Sequence, residues 1–473
     1  MSTLWTAQDL VAATGGQWLR EPPPGWTASG FCYAAAIHQP GDMLFVRSYL
    51  GELGMLPLHA RPLLPHSTGV LCTTADVVPD GPWPAFLVPE AYTGLMDVAR
   101  YARGCFRGRV HAVTGSAGKT SICALLAFAL SRLGPTITTS HNTNLPPGVA
   151  RTLAGVPPSA GHVVLELAIG RMGTSTRLAR PHVAIFSNVA AAHLKYHTTL
   201  EQVAERKSLI FTGLEPGGTA VLNCNMDHFD VVVTAARRHA GRVVTYGEGP
   251  TADLRLVNHT PDGVVRAVIH GEPVEYVLGP PGRHMALNSL AVLAALEAEG
   301  MDWRHHVLPA LTEARPVAGR GEAHDLLLDG RALRLIDDAY NANPASMRAG
   351  IGLLGSRSPG PGGRRVAVLG DMLELGPDSA RFHTDLAGPL EDAGVDVVHT
   401  TGPEMARLWE CLPAAQRGVR VDTATALVAP LVDDLRAGDV VLVKGSHGSG
   451  VHQVVSELLA RAERSPQSKE KTR

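Results

Sequence analysis

The stretch VTGSAGKTS, residues 113–121, decides the fold. It follows the apolar run RVHAV, which reads as a strand, and it opens directly into SICALLAFALSRLG, a helix with apolar residues on most faces. A strand that turns through glycines into a helix start offers backbone N–H groups and the positive end of the helix dipole to a phosphate. The usual phosphate loop runs Gly, four residues, Gly-Lys-Ser/Thr. Here Val113 stands where the first glycine is expected, and Gly115, Gly118, Lys119 and Thr120 make a tighter loop. Lys119 supplies a point charge for the β- and γ-phosphates, and the Thr120 hydroxyl can coordinate Mg²⁺. Strand, loop and helix stand in the order that a nucleoside triphosphate site requires.

Downstream, GHVVLELA, PHVAIFSNVA and GGTAVLNCN read as buried strands alternating with helical stretches such as LEQVAERKSLIFTGL. That alternation predicts a parallel sheet with helices on both faces. The segment closes on the helix RHMALNSLAVLAALEAEG. Beyond Pro316–Gly319 the alternation starts again, with LRLIDDAY, RRVAVLGD, VDVVHT and DVVLVKGS as strands and SARFHTDLAGPLEDAG and VHQVVSELLARAE as helices. This predicts a second, Rossmann-like sheet. Upstream of the loop, turn-rich stretches such as EPPPGW and HQPGDM separate short strands (GDMLFV, GVLCTT, AFLV). The expectation is an α/β chain of three domains: a small mixed α/β domain over 1–107, a central P-loop ATPase domain with a parallel sheet over 108–315, and a C-terminal Rossmann-like domain over 316–464. A disordered polar tail over 465–473 is expected to follow.

Composition limits the function classes. The formal net charge is −2 with no long basic run before the last residues, which gives a nucleic acid no electrostatic footprint. No apolar run approaches the ~20 residues that span a bilayer, and MSTLWTAQDL lacks the basic-then-apolar pattern of a signal peptide. Six scattered cysteines without a CxxC pair fit reduced thiols. A cytoplasmic protein without nucleic-acid or membrane partners is expected.

Two groups at strand ends near the loop are candidates for a metal: Glu166, closing HVVLE, and His193, in SNVAAAHLKYH. Magnesium prefers oxygen, so the histidine is an unusual ligand. Lys207, in AERKSLIF, reads by itself as a solvated helix lysine.

The motifs TGSAGKTS, AAAH, RKSLIF, GRHMALNSL, GR, DDAYNANP, GDMLELG and VLVKGS together resemble the Mur ligases, in order, from about Arg109 to Val455. They are most similar to the D-alanyl-D-alanine-adding branch, the MurF type, and the short glycine loop is itself the form this family uses. The resemblance implies an ATP- and Mg²⁺-dependent ligase that activates a small-molecule carboxylate as an acyl phosphate for attack by an amino acid or dipeptide amine. It implies that Gly115, Ser116, Ala117, Gly118, Lys119, Thr120 and Ser121 hold ATP. Thr120, Glu166 and His193 would serve magnesium, with Lys207 carbamylated by CO₂ into an oxygen ligand. His284 and Asn288 would lie near adenine, Arg320 at the γ-phosphate and Asp338 at the ribose. Lys119, His193, Lys207 and Arg320 are the implied catalytic residues. Asn341, Asn343, Lys444 and Ser446 fall on the substrate side, and His383 belongs to the same domain without an assigned role.

The N-terminal segment departs from the family. Where an Asp-Thr/Ser-Arg stretch grips the uridine nucleotide, this chain has Ala34-Ala35-Ala36, and RSYLGELGMLPLHA replaces the later Lys-Gly…Asp-Gly-His stretch. IGRMGTSTRLARP is shortened, and HNTNLPPGVA only loosely matches the family's asparagine-rich stretch. The expectation is retained chemistry on an altered acid, as in specialised-metabolite or peptide assembly. The alternative is a peptidoglycan ligase whose uridine contacts come from other residues. A plain NTPase or kinase would not need the second Rossmann-like domain, and a silent binding protein would not need to keep Lys119, Glu166, His193 and Lys207.

Overall fold

In the structure, a computed structural model, residues 5–139, 143–190 and 199–464 are described. The stretch Arg109–Thr114 becomes a strand near the middle of a nine-stranded sheet, flanked by His162–Glu166 and Val183–Phe186. Successive side chains of a strand point to opposite faces, and both faces here are apolar. Val110, Ala112, Val163, Leu165 and Phe186 pack into one core, while Val113, Val164, Ile185 and Val221 pack into another. A sheet buried on both sides reads as near-continuous apolar runs rather than alternation, which is why these strands were legible. The helices Lys119–Ser131 and Arg283–Ala298 cover the second face.

The expected parallel sheet carries an antiparallel extension at one edge. Seven strands run parallel, but the edge is an antiparallel extension: Val264–Ile269 pairs antiparallel with Leu254–His259, and Glu272–Val277 pairs antiparallel with Val264–Ile269. Alternate residues there are exposed, as an edge solvated on one side requires.

The third sheet has six strands, of which Arg331–Asp338, Val440–Lys444, Arg365–Gly370, Val397–Thr401 and Arg417–Val421 are parallel. Glu322–Leu328 adds an antiparallel edge through a hairpin at Asp329–Gly330. Both turn residues have positive φ, 48° and 79°, the geometry in which an Asp-Gly turn matches strand twist. The helix expected over SARFHTDLAGPLEDAG is two short helices, Ser379–Thr384 and Ala387–Asp392. Pro389 has no N–H to donate to the carbonyl of Asp385, and its ring crowds that carbonyl, so the helix is interrupted there.

The first sheet has five strands in which Gln17–Arg20 is an antiparallel edge and the rest are parallel. Its core is continuous with one face of the central sheet through Trp5, Phe31, Phe45 and the helices Ala91–Cys105 and Pro146–Ala154. The Trp5 indole donates to the Ala154 carbonyl at 2.7 Å.

Candidate active site

Gly115 has φ +145°, and a Cβ there would collide with the Ser187 hydroxyl. Gly118 has φ +81° and caps the helix that starts at Lys119. The loop therefore follows the neighbouring strand end closely and turns into the helix without a side chain in the way. Gly115→Ala is expected to cost about 2 kcal/mol through forced repacking against Ser187. Thermal unfolding and nucleotide binding measured together would check this, and an unchanged midpoint would contradict it.

Asn188 fixes the loop from the adjacent strand: its Oδ1 accepts from the backbone amides of Ser116 at 3.1 Å and Ala117 at 2.8 Å. Two lysine side chains then converge on one carbonyl, because Lys119 Nζ donates to Gly115 O at 2.8 Å and Lys207 Nζ donates to the same oxygen at 2.9 Å. Among the described residues neither lysine forms an ion pair. Lys207 is 1% exposed, and burial holds its ammonium well below the ordinary lysine range; the Lys119 charge adds to this and Glu166 opposes it. Burial also lowers Lys119, with Glu166 opposing and Arg320 assisting.

The oxygen donors lie beside them. Thr120 Oγ1 donates to Glu166 Oε2 at 2.6 Å, and Asn144 Nδ2 donates to Glu166 Oε1 at 2.8 Å. A hydroxyl and a carboxylate oxygen already paired at the mouth of a phosphate loop form the hard-donor set that suits Mg²⁺ with its retained waters. His193 lies outside the described residues.

These groups line a cavity of about 570 Å³ that the third sheet helps to close. Asn343 caps the helix Pro344–Gly355, and its Nδ2 donates to Ser116 O at 3.3 Å. The half-buried Arg320 guanidinium lies 4.4 Å from the centre of the Tyr340 ring, and its buried Nε has no hydrogen-bond partner. Lys444 pairs with Asp338 Oδ2 at 2.8 Å and donates to Asn341 O at 3.0 Å. Burial lowers the His284 imidazole, with Asp338 opposing.

Ser116, Ala117, Gly118, Lys119, Thr120, Ser121, Glu166, Lys207, His284, Asn288, Arg320, Asp338, Asn341, Asn343 and Lys444 are thus brought to one cavity. Gly115 lies behind it as the shared acceptor. Ser446 is set back: its Oγ accepts from the Leu373 amide and donates to Ala342 O, so it holds the wall. His383 is fully buried, accepting from the Met372 amide at Nε2 and donating to Ser379 O from Nδ1. With both nitrogens engaged it fixes the loop after Gly370. Sequence reading missed Asn188 and Tyr340; an asparagine ending the strand beside the loop was the available signal for the first.

A second cleft of about 290 Å³ lies between the first sheet and the edge of the central one, lined by Ser29, Gln39, Asp42, Thr138 and Arg151. Arg151 donates to Phe31 O at 3.0 Å and Ile37 O at 2.7 Å, bracketing the Ala34–Ala36 stretch, and lies 3.6 Å from the Asp42 carboxylate.

Comparison with known proteins agrees with this arrangement. Residues 113–296 match the Mur ligase middle domain, and residues 320–447 match the Mur ligase, glutamate ligase domain. The UDP-N-acetylmuramoyl-tripeptide--D-alanyl-D-alanine ligase of Synechocystis sp. is 32% identical over 79% of this chain and 80% of its own. That of Mycobacterium tuberculosis (strain CDC 1551) is 30% identical over 94% of this chain and 90% of its own. The fold superposes on MurF from Acinetobacter baumannii with a TM-score of 0.82 at 24% identity, covering 96% of this chain and 99% of that one.

Proposed function

The chain belongs to the Mur ligase family of ATP-dependent amide ligases, and from that premise we propose that it joins D-alanyl-D-alanine to a UDP-N-acetylmuramoyl tripeptide. The similarity to the mycobacterial ligase carries this reading furthest, because it runs through the N-terminal segment as well as the ATP side. The altered acid substrate expected from Ala34–Ala36 has no support among the relatives, and the reading is corrected accordingly. The second cleft supports the correction: Arg151 brings a guanidinium to the place where the sequence stretch lacks one. On this reading the uridine nucleotide end lies against Ser29, Gln39 and Arg151.

The chemistry follows from the cavity. Amides of the loop and the start of the helix at Lys119 receive the phosphates, with Lys119 and Arg320 neutralising the γ-phosphoryl group. The tripeptide's terminal carboxylate oxygen attacks the γ-phosphorus, ADP leaves, and an acyl phosphate forms. The neutral amine of the dipeptide then attacks the acyl carbon; phosphate leaves, the amine gives up a proton, and an amide remains. Thr120 and Glu166 would hold Mg²⁺, which spreads the charge of the transferring group. Lys207, whose charged form burial disfavours, is a nucleophile suited to CO₂ capture, and the resulting carbamate would add an oxygen ligand beside Glu166. Asp338, on the nucleotide side, holds the Lys444 ammonium, and Lys444 with Asn341 forms the wall toward the amine. Six unpaired cysteines are in keeping with a cytoplasmic site of action.

The test is a ligation assay with ATP, Mg²⁺, D-alanyl-D-alanine and UDP-N-acetylmuramoyl tripeptide, reading product by mass and phosphate release together. A tripeptide–dipeptide product, absent when the uridine nucleotide is removed from the acid, is expected. ADP formation only with a nucleotide-free acid would overturn the substrate assignment and leave the ligase chemistry standing.

A further inference from the structure

Away from the ATP cavity, at the point where the chain enters the third sheet, three metal-ligating side chains meet on one face of a hairpin. Glu322 and Asp337 stand directly opposite each other across the antiparallel ladder, and His324 follows Glu322 two residues on, so that it points to the same face. One donor atom from each of Glu322, His324 and Asp337 lies within 4.8 Å of the other two. Two carboxylates placed opposite one another are destabilising unless something sits between them. His324 Nε2 is shielded from solvent and has no hydrogen-bond partner, and it stands 3.7 Å from a Glu322 carboxylate oxygen, beyond hydrogen-bond reach. One Asp337 oxygen accepts from the Ala339 amide at 3.1 Å, which orients the carboxyl.

We propose that Glu322, His324 and Asp337 form a divalent-cation site, separate from the ATP cavity, that takes a transition metal of the Zn²⁺ class. An imidazole nitrogen with two carboxylate oxygens is a mixed donor set that suits zinc better than magnesium, which wants oxygen alone. Bond lengths of about 2.0–2.2 Å require donor atoms some 3–4 Å apart, so small side-chain rotations close the present spacing around an ion. Three protein ligands leave a further position for water.

The location gives the site a consequence. Gly321 N donates to Asp337 O at 2.8 Å, so the two strands are tied at their entry. Arg320 immediately precedes this tie and Asp338 immediately follows Asp337; both line the ATP cavity. A cation held by Glu322, His324 and Asp337 braces the base from which these two residues reach the nucleotide.

The experiment uses the full chain, stripped with a chelator and titrated with Zn²⁺ in the absence of nucleotide by calorimetry, with Co²⁺ absorption as a second reading. The Glu166→Gln background removes the carboxylate of the ATP cavity from consideration. One equivalent of Zn²⁺ is expected in wild type and Glu166→Gln alike, with a visible Co²⁺ band that millimolar Mg²⁺ does not displace. His324→Ala and Asp337→Asn should each lose stoichiometric binding. The second variant keeps the shape of the hairpin if the first does not fold. Equal binding in wild type and both variants, or no stoichiometric binding in wild type, overturns the proposal. None of these outcomes depends on which acid the enzyme ligates.

Discussion

Lys207→Ala is expected to lower kcat for ligation by about 10³-fold, the scale seen when a preorganised electrostatic group is removed from a transition state. The argument rests on an unusual placement. A lysine buried to 1% exposure and without an ion pair among the described residues is poorly explained by stability, since burying an ammonium costs free energy. Its position, sharing the Gly115 carbonyl with Lys119 and close enough to Glu166 to feel its charge, makes sense for an amine whose charged form burial disfavours and which is ready to be converted. Carbamylation turns the cation into an anionic oxygen donor. Short carboxylates added to Lys207→Ala should therefore restore part of the rate by occupying the vacated space, and a variant that ligates at the wild-type rate would remove Lys207 from the mechanism.

The same residue yields a stability signature that does not depend on catalysis. The folded pKa is depressed below the unfolded value of ~10.4, so between the two the unfolded chain binds more protons. In CO₂-free buffer the contribution of Lys207 to stability is therefore least favourable at low pH and improves as pH rises through that window. Lys207→Met should unfold at a higher temperature than wild type near neutral pH, with the gap narrowing as pH increases. Thermal midpoints across the alkaline range would measure it; a gap independent of pH would mean that Lys207 is charged in the fold.

What could be read beforehand divides along physical lines. The glycine loop and Glu166 were legible because strand, turn and helix are local, and a carboxylate at a strand end is placed by the strand itself. Lys207 was not legible from its own helix, whose residues read as a solvated face; its burial comes from the loop packed over it, and only the family resemblance pointed to it. Asn188 bonds across strands 72 residues apart in sequence, a separation to which local periodicity is blind. The acid side shows the same limit of local reading. An absent arginine at Ala34–Ala36 looked like an absent guanidinium, yet Arg151 arrives there from a helix 114 residues beyond Ile37. The antiparallel edge after Leu254 went unassigned: Val264–Ile269 carries one polar residue, Arg266, and so lacks the apolar–polar alternation that marks a strand solvated on one face.

Arg320→Ala is expected to reduce kcat by about 10³-fold, at the lower end of the effect of losing an arginine from a phosphoryl-transfer site. Its guanidinium is half-buried, its Nε has no partner, and no carboxylate among the described residues pairs with it. Burial is the main cause of the lowered Lys119 and the Arg320 charge adds to it, so two cationic groups face one cavity suited to a polyanion. Among the described residues, the ring that holds Arg320 in place is that of Tyr340, at 4.4 Å. Such a contact is worth roughly 0.5–2 kcal/mol, so Tyr340→Leu should cost about tenfold, mostly in kcat, whereas Tyr340→Phe, which keeps the ring face, should stay near wild type. Arg320→Lys should recover only part of the loss, because a single ammonium cannot reproduce the planar fork that meets phosphate oxygens two at a time. Steady-state kinetics with saturating acid and amine, varying ATP, would separate the terms. An Arg320→Ala enzyme with unchanged kcat and a raised KM for ATP would show that the residue binds the nucleotide without acting on the transferring group, and the proposed role at the γ-phosphoryl would fall.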